Sequence, residues 1–384
     1  MRSRHRTTGW GTKADGESIP CSPAPKSEPA LKPSLEQLDT ARRAWLAGLA
    51  REHAASASAA SALALARGEW MCGEYDAALA HFLEARELDP LAPDTHLSLI
   101  RAASMLGLDG LEAEALKTGL HLHSGQPELR LHAALQRVPG DLEAARQWLL
   151  PALDNPLCAR FAAGLTAIIS GTPAAPGRTD TEPHALAQID SLRWAMSHAR
   201  DPQVHTGLPA NVLARALDAA SADGLTLECG VYFGRSLRLM AARTSGEVHG
   251  FDSFQGLPEA WNAREGAGAY STAGRLPRVA GNVTLHPGWF EDTLPAFFAA
   301  HGGPVRLLHI DCDLYSSTRT VLEQADDRLV PGSVLVFDDF LGYPGYEQHE
   351  LRAFEEFVAS RGIAWEPIAA CLMGREVAIR IISR

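Results

Sequence analysis

The segment LTLECGVYFGRS (residues 225–236) decides the fold prediction, because an apolar run ends in a glycine-bracketed turn and a helical pattern begins near Ser236. Gly230 and Gly234 bracket that turn, and glycines there let the backbone approach a ligand closely. The spacing G-x-x-x-G differs from the G-x-G-x-x-G fingerprint of dinucleotide sites. Glu228, two residues before the first glycine, would repel a phosphate. The segment therefore predicts a site for a cationic or zwitterionic nucleoside.

Short apolar segments alternate with helical patterns around this turn. The predicted strands are Leu225–Cys229, Glu247–Phe251, Val283–His286, Val305–Ile310 and Ser333–Phe337. Such alternation predicts an α/β fold with a parallel sheet covered on both faces. Trp365–Ile368 and Glu376–Ile382 have no helix-length gap between them, so we expect them to close the sheet as a hairpin with an antiparallel strand.

The second predicted strand ends in GFDSFQGLP (residues 250–258), which places Asp252 22 residues after Gly230. In open α/β sheets, ligands collect at the carboxyl ends of the strands, and an acid at this spacing is positioned to accept both ribose hydroxyl protons. An exposed loop carboxylate or a helix cap is the alternative for Asp252. Tyr232 and Ser253 lie next to these positions in sequence, and we assign them to the same predicted cofactor site.

Two aromatic residues follow the third predicted strand. The segment HPGWFEDTLP (residues 286–295) contains Trp289 and Phe290. Either ring could face an adenine base, and ordinary packing within the loop is the alternative. Trp289 is the residue that we predict to contact the cofactor.

Four aspartates end the two central predicted strands. Asp311 and Asp313 lie in HIDCDLYSST (residues 309–318), and Asp338 and Asp339 lie in VFDDF (residues 336–340). Adjacent strand tips would bring these carboxylates into one cleft, where their mutual repulsion raises their pKa values. A divalent cation removes that repulsion, and Mg²⁺ binds through a few carboxylates together with substrate oxygens. The alternative is that they are unlinked aspartates that cap the following helices.

These strings together resemble the macrocin-type O-methyltransferases, which use S-adenosylmethionine to methylate sugar or phenolic hydroxyls. The resemblance covers about residues 208–357 and rests on ECGVYFGRS, GFDSFQGLP, HIDCDLYSST and VFDDF in that order. It implies a class I methyltransferase fold, a Rossmann-like sheet of seven strands. It also implies a cofactor site at the methionine and ribose end, which comprises Glu228, Gly230, Gly234, Ser236 and Asp252.

The resemblance further implies roles for the four aspartates, which the residue patterns alone leave open. Asp311, Asp338 and Asp339 are expected to hold Mg²⁺, and Asp313 is expected to take the proton of the acceptor hydroxyl. His349 is a rival base, because it follows the aspartate pair and could reach the cleft. His309 lies within an apolar strand, where an internally hydrogen-bonded histidine is the more common finding.

The N-terminal part of the chain differs in composition and in the spacing of its apolar residues. Residues 1–38 are rich in Ser, Pro, Gly and Lys and predict a disordered tail. Residues 39–170 are rich in Ala and Leu at helical spacing, residues 171–183 predict a Pro- and Gly-rich linker, and residues 184–384 form the predicted methyltransferase domain. The sequence thus predicts an all-α domain in front of an α/β domain.

One segment of the helical part resembles a tetratricopeptide (TPR) unit. In residues 73–90, Ala78, Phe82 and Pro90 match the A-x-x-x-F…P half of that repeat. Residues 139–153 repeat the pattern 67 residues later, about two repeat periods, with a second helical pair between them. We expect such an array to bind a protein partner or a second copy of the chain.

Composition excludes several functional classes. The 384 residues carry a net charge of −11, so the chain lacks the basic field that nucleic-acid or anionic-membrane binding requires. The longest nearly apolar stretch, residues 161–169, is too short to cross a bilayer. A basic start without an apolar core does not make a secretory signal, so we expect a cytoplasmic protein. The six scattered cysteines indicate neither a disulfide framework nor a zinc knuckle.

Three other functions remain open at this stage. The chain could be a metal-independent methyltransferase on a phenolic acceptor, or a nucleotide-dependent oxidoreductase. It could also be a TPR scaffold with an inactive methyltransferase domain. Ligand binding would distinguish a methyltransferase from an oxidoreductase: S-adenosylmethionine should shift the melting temperature of the protein, whereas NAD should not.

Overall fold

The computed structural model describes residues 35–138, 140–172, 182–199, 201–220, 223–372 and 374–384. Most of the predicted tail (1–38) and linker (171–183) therefore lies outside the described residues. The described chain from Leu35 to Arg384 forms one compact unit. The predicted division into a helical and a catalytic domain remains a prediction.

The first part of the chain is entirely helical. Its helices are α1 (Leu35–Ala55), α2 (Ala59–Met71), α3 (Tyr75–Leu88), α4 (Pro93–Met105), α5 (Asp109–Leu122), α6 (Pro127–Leu135), α7 (Leu142–Leu149), α8 (Pro156–Ser170) and α9 (Pro183–His198). Helices α3, α5 and α7 begin 34 and 33 residues apart. The predicted helical character is thus confirmed, whereas the assignment of these hairpins to TPR units remains a prediction.

The repeated positions occupy the core of the helical part. Ala78, Phe82 and Ala85 on α3 are at most 5% exposed. Their counterparts are at most 4% exposed and comprise Ala145, Leu149 and Ala152. Small residues let the paired helices approach closely, and the larger side chain fills the space between them.

The second part of the chain is a mixed sheet with helices on both sides. Its strands are β1 (His205–Thr206), β2 (Leu225–Cys229), β3 (Val248–Asp252), β4 (Val283–Pro287), β5 (Val305–Ile310), β6 (Val334–Phe337), β7 (Ala364–Cys371) and β8 (Val377–Ser383). Its helices are α10 (Pro209–Ala219), α11 (Arg235–Arg243), α12 (Phe290–Ala300), α13 (Tyr315–Ala325) and α14 (Glu350–Arg361). The strand order across the sheet is β1-β7-β8-β6-β5-β2-β3-β4.

All seven predicted strands are present, and the expected terminal hairpin is confirmed. β8 runs antiparallel to both β6 and β7, and the other neighbouring strands run parallel. The eighth strand, β1, pairs with β7 through only two residues and is too short to leave a periodic signal in the sequence. β2 and β5 are neighbours near the centre of the sheet, and β3 and β6 flank them. Because these four strands run parallel, their carboxyl ends lie at one edge of the sheet.

Helices of the first part pack directly on the sheet domain. Gly73, in the turn between α2 and α3, has a φ of +75°, and a Cβ built there would lie 2.5 Å from the Cβ of Phe233. Arg238 on α11 pairs with Asp76 on α3 at 2.6 Å. A shared apolar cluster also includes residues from α6–α9 together with Leu208 and Leu372. The turn of the helical hairpin is therefore part of the packing around the glycine loop.

No helix among the residues that the structure describes is both long enough and apolar enough to cross a bilayer.

We expect the substitution Gly73→Ala to destabilise the protein. An alanine would be forced into the left-handed region and against Phe233, which costs about 2 kcal/mol in the free energy of unfolding. Chemical denaturation would measure the change. Gly110→Ala is the matched control, because a Cβ at Gly110 in α5 meets no atom within 4 Å. Equal destabilisation by both substitutions would contradict the proposed close docking.

Candidate active site

A cleft of about 1000 Å³ runs along the carboxyl edge of the sheet. Most of the predicted site residues line it. These are Gly230, Tyr232, Ser236, Asp252, Ser253, Trp289, Asp311, Asp313, Asp338 and Asp339. Gly234 lies between two lining residues and Glu228 two residues before Gly230, but neither lines the cleft itself.

The glycine turn has two positions that other residues would strain. Gly230 has a φ of +94°, and a Cβ built on it would lie 1.6 Å from the carbonyl oxygen of Asp311. Gly234 has a φ of +74° and forms the N-cap of α11. The backbone of the predicted cofactor turn is therefore in direct contact with the backbone that carries Asp311.

Asp252 organises this turn through backbone hydrogen bonds. Its Oδ2 accepts from the N–H groups of Val231 at 2.8 Å and Tyr232 at 2.7 Å. Its Oδ1 accepts from the N–H of Phe254 at 2.6 Å. A carboxylate offers about four acceptor positions, so these three donors leave capacity for a ligand hydroxyl. The structure thus gives Asp252 a scaffolding role that the sequence did not reveal.

Glu228 lies beneath the cleft on β2 and is fully buried. His309 Nδ1 is 2.8 Å from Glu228 Oε1, and His309 Nε2 is 3.6 Å from Asp338 Oδ1. Burial lowers the pKa of His309, but hydrogen bonds to Asp338 and Glu228 outweigh it and raise that pKa well above its usual value. His309 is therefore internally bonded, as expected. The second oxygen of Glu228, Oε2, is buried and has no hydrogen-bond partner among the described residues.

Three of the four aspartates meet at one point. Carboxylate oxygens of Asp311, Asp338 and Asp339 all lie within 4.8 Å of one another, a separation that one metal ion can bridge. Burial, followed by repulsion from Asp338, raises the pKa of Asp311 well above its usual value. The same two causes raise the pKa of Asp339 to about 6. These carboxylates lack sufficient positive charge around them.

Asp338 differs from its neighbours because cations surround it. Burial raises its pKa, but the hydrogen bond and charge of His309, together with Arg235 and Arg375, lower the pKa below its usual value. Arg375 also pairs with Asp339 through an Nη1–Oδ1 contact of 2.5 Å. Asp338 is therefore the member of the cluster that stays ionised most readily.

Sequence reasoning missed Arg235, Arg375 and Glu350. Arg235 follows Gly234 directly and could have been noticed as a cation at the start of α11. Arg375 lies in the β7–β8 connection and left no local signal. Glu350, at the start of α14, is buried and accepts the backbone N–H of Asp339 at 3.0 Å. Only the tertiary fold brings the last two residues to the aspartates.

Asp313 occupies a strained position at the cleft. Its φ of +60° lies in the left-handed region, as do those of Tyr232 (+50°) and Tyr270 (+59°), and all three residues line the cleft. Such conformations cost about 1–3 kcal/mol each and concentrate at functional sites. Burial, then the charge of Asp339, raises the pKa of Asp313 well above its usual value.

His349 is less favourably placed than Asp313. It is not among the cleft-lining residues, and its ring packs 6.2 Å from the rings of Trp261 and Tyr343. Burial lowers its pKa. These contacts favour a packing role for His349.

Part of the chain is similar to known methyltransferases. Residues 227–340 match a family described as "Methyltransferase domain". The chain therefore carries a methyltransferase domain, and its strand order is that of the class I methyltransferase fold.

Two curated relatives are O-methyltransferases. One is the 8-demethyl-8-(2,3-dimethoxy-alpha-L-rhamnosyl)-tetracenomycin-C 4'-O-methyltransferase of Streptomyces olivaceus, 31% identical over 160 residues, which are 33% of this chain and 58% of the relative. The other is the mycinamicin III 3''-O-methyltransferase of Micromonospora griseorubida, 29% identical over 159 residues, which are 34% of this chain and 61% of the relative. The match thus spans about three fifths of each relative. The predicted resemblance to the macrocin-type enzymes is confirmed.

Two solved structures of methyltransferases also match part of the chain. The O-methyltransferase NovP is 22% identical, with 46% of this chain and 78% of that chain covered and a TM-score of 0.35. The calicheamicin methyltransferase CalS11 is 21% identical, with 70% of this chain and 92% of that chain covered and a TM-score of 0.35.

We expect Gly230→Ala to weaken the binding of S-adenosylhomocysteine, the product form of the cofactor, at least about tenfold. The added methyl group cannot occupy the position of the Asp311 carbonyl, so the turn must move away from β5. A tenfold loss of affinity corresponds to about 1.4 kcal/mol. Calorimetric titration would measure the affinity, with circular dichroism as a check on folding. Gly281→Ala, where a Cβ meets no atom within 4 Å, should bind like the wild type.

Proposed function

We propose that the protein is an S-adenosylmethionine-dependent and Mg²⁺-dependent O-methyltransferase that acts on a hydroxyl of a saccharide or a glycosylated small molecule. The observation that carries this proposal is the meeting of Asp311, Asp338 and Asp339 beside the glycine turn within one cleft. The family match and the curated relatives support the reaction class.

The residues around the glycine turn suit the methionine and ribose parts of the cofactor. Glu228 lies beneath the turn, and its unpartnered Oε2 is the proposed acceptor for the α-ammonium group. Asp252 would accept from a ribose hydroxyl, and Trp289 lines the cleft where an adenine ring could lie. Gly230, Tyr232, Gly234, Ser236 and Ser253 complete this proposed site.

The donor set fits a magnesium ion. The three carboxylates offer hard oxygen ligands within 4.8 Å of one another. Burial and repulsion from Asp338 raise the pKa values of Asp311 and Asp339, which supports the presence of a cation beside them. When bound there, Mg²⁺ would supply the positive charge that lowers the pKa of an acceptor hydroxyl. Asp311, Asp338 and Asp339 would hold the ion.

Asp313 is the proposed general base. As the acceptor oxygen attacks the methyl carbon, a C–O bond forms, the C–S bond breaks and S-adenosylhomocysteine leaves. Asp313 takes the hydroxyl proton from its position on the cleft wall, where its strained backbone fixes the side chain. The enzyme mainly supplies alignment, since the methyl group is already activated by the sulfonium.

The helical part contributes a wall to the same cleft. Trp70 and Met71 at the end of α2 and Tyr75 at the start of α3 line it together with the sheet residues. Trp70 and Tyr75 form an edge-to-face pair with ring centroids 5.0 Å apart. Aromatic and thioether surfaces of this kind suit the apolar faces of a sugar ring or an aglycone. We therefore assign this wall to the acceptor.

One observation favours a second function. Arg375 pairs with Asp339, and Arg235 lies close enough to Asp311 and Asp338 for their charges to raise its pKa. These two cations neutralise part of the cluster, as a metal-independent methyltransferase on a phenolic acceptor would require. The raised pKa values that remain at Asp311 and Asp313 favour the metal-dependent function.

We expect Asp311→Asn and Asp338→Asn to abolish methyl transfer while S-adenosylhomocysteine still binds. Loss of one carboxylate removes a metal ligand but leaves the glycine turn and Asp252 unchanged. Transfer of labelled methyl from S-adenosylmethionine to a panel of glycosides, with Mg²⁺ or with a chelator, would measure the reaction. Wild-type rates in these variants, or in the chelated wild type, would exclude the metal-dependent mechanism in favour of the second function.

We expect Trp70→Ala to raise KM for a glycoside acceptor about tenfold with little change in cofactor affinity, since the residue lies on the acceptor wall. p-Nitrophenyl α-L-rhamnopyranoside is a suitable probe. Trp45→Ala serves as the control, because Trp45 on α1 is 45% exposed and does not line the cleft. Equal effects of the two substitutions would contradict the assignment of this wall to the acceptor.

A further inference from the structure

A second group of metal-ligating side chains lies within the helical part, separate from the cleft. His53 on α1 and His81 and Glu84 on α3 have ligand atoms within 4.8 Å of one another. Two residues of α2 support them, Ser61 and Glu69. The group therefore joins three helices that are consecutive in the chain.

The hydrogen bonds of Ser61 favour a hydrogen on Nδ1 of His53. The Ser61 hydroxyl has a single hydrogen, which it directs toward the carbonyl oxygens of Ser56 at 3.1 Å and Ser58 at 3.0 Å, and its oxygen accepts the N–H of Ser58 at 3.0 Å. Its oxygen is then the acceptor for His53 Nδ1 at 2.9 Å. In the neutral ring, the lone pair is consequently on Nε2. That atom faces Glu84, 3.2 Å from Oε1 and 3.3 Å from Oε2.

His81 has the same arrangement with a different partner. Its Nδ1 is 2.7 Å from Oε2 of Glu69, and an ionised carboxylate can only accept, so Nδ1 is the donor. The remaining lone pair is on Nε2, which lies 4.0 Å from Oε2 of Glu84. This distance is too long for a hydrogen bond. Both imidazoles therefore direct a lone pair toward one carboxylate.

Two imidazole lone pairs and a carboxylate that face one space favour the binding of a cation between them. A proton on His53 would satisfy one contact and leave His81 Nε2 facing Glu84 without a bond. A divalent ion would accept all three ligands at once. Two imidazole nitrogens and one carboxylate are ligands that Zn²⁺ prefers. The hydrogen bonds of Ser61 and Glu69 to the Nδ1 atoms of the two imidazoles match those that orient zinc-binding histidines in known sites.

We propose that His53, His81 and Glu84 form a binding site for a zinc-class divalent ion, distinct from the carboxylate cluster of the cleft. The side chains of His53, His81 and Glu84 are 11%, 27% and 39% exposed, so the site is nearly buried at His53 and partly open at His81 and Glu84. Solvent would complete the coordination there. Imidazole ligands select transition-metal ions over Mg²⁺, which prefers oxygen.

The proposed ion would fasten α1 to the α2–α3 hairpin. This matters for the sheet domain because α1 also carries Arg42. Arg42 donates to the carbonyl oxygen of Ser271 at 3.0 Å and lies 5.3 Å from the ring centre of Phe233, beside the glycine turn. The bound ion would therefore stabilise the position of α1, which packs against the glycine turn. We assign it no part in the methyl transfer.

Cobalt binding tests this proposal on the full-length protein. After chelation and dialysis, titration with Co²⁺ should give one equivalent of four-coordinate ion, which absorbs visible light far more strongly than the six-coordinate ion expected at an all-oxygen site. Zn²⁺ should displace it and Mg²⁺ should not. The signal should persist in Asp338→Asn, in which the cleft has lost a ligand.

Single substitutions identify the ligands. His81→Ala and Glu84→Gln should each weaken Co²⁺ binding at least about tenfold. Glu84→Gln is the variant of least risk to folding, since the residue is partly exposed and the change is isosteric. His121→Ala on the exposed surface of α5 is the matched control and should bind like the wild type. Absence of the four-coordinate signal, or its persistence in Glu84→Gln and His81→Ala, would show that these residues form an ion pair only.

Discussion

The close approach of Gly230 to the carbonyl of Asp311 is the constraint on which the active-site architecture depends. A Cβ at Gly230 would come within 1.6 Å of that oxygen, so no side chain fits between the two strand ends. The contact is held by β2–β5 pairing, in which the N–H of Asp311 donates to the carbonyl of Cys229 at 2.9 Å. The first glycine of the turn and the first aspartate of the cluster are therefore placed by one piece of backbone geometry.

Charged side chains of both signs surround that contact. Glu228 and Asp338 lie on either side of His309, so the buried imidazole neutralises part of the negative charge of both neighbours. Arg375 and Arg235 add positive charge from a loop and from the start of α11. Even so, burial and mutual repulsion keep the pKa values of Asp311, Asp313 and Asp339 raised. Burial and mutual repulsion therefore favour a further positive charge beside these carboxylates, which is the physical basis of the proposed magnesium site.

The helical part is integrated with this site. Gly73 and Gly107 let the turns at the ends of α2 and α4 approach Phe233 and Leu239, where a Cβ would lie 2.5 and 2.8 Å from side-chain carbons. Arg275 also pairs with Glu74 across the same boundary. Because Trp70 and Met71 reach the cleft through this packing, the helical part has a local role in the site besides any interaction with a partner.

Several features followed from the sequence alone because each depends on a short local pattern. The seven main strands were predicted within about one to three residues, since apolar runs bounded by turns are local signals. The four strand-end aspartates and Asp252 were found in the same way, because parallel strands present their carboxyl ends at one edge. The 34-residue helical spacing was visible as a repeat. The family resemblance added the likeness to O-methyltransferases, which the comparisons confirmed.

Other features were decided by the tertiary structure because they join residues distant in the chain. Arg375 is 36 residues from Asp339, and Glu350 reaches the same aspartate from a different helix. The role of Glu228 beneath the turn depends on pairing of β2 with β5, and the two-residue strand β1 exists only because β7 offers an edge. The sequence determined the local elements and the acids at their ends. The tertiary structure decided which cations, aromatic rings and helices surround those acids, since charge and packing depend on distance in space.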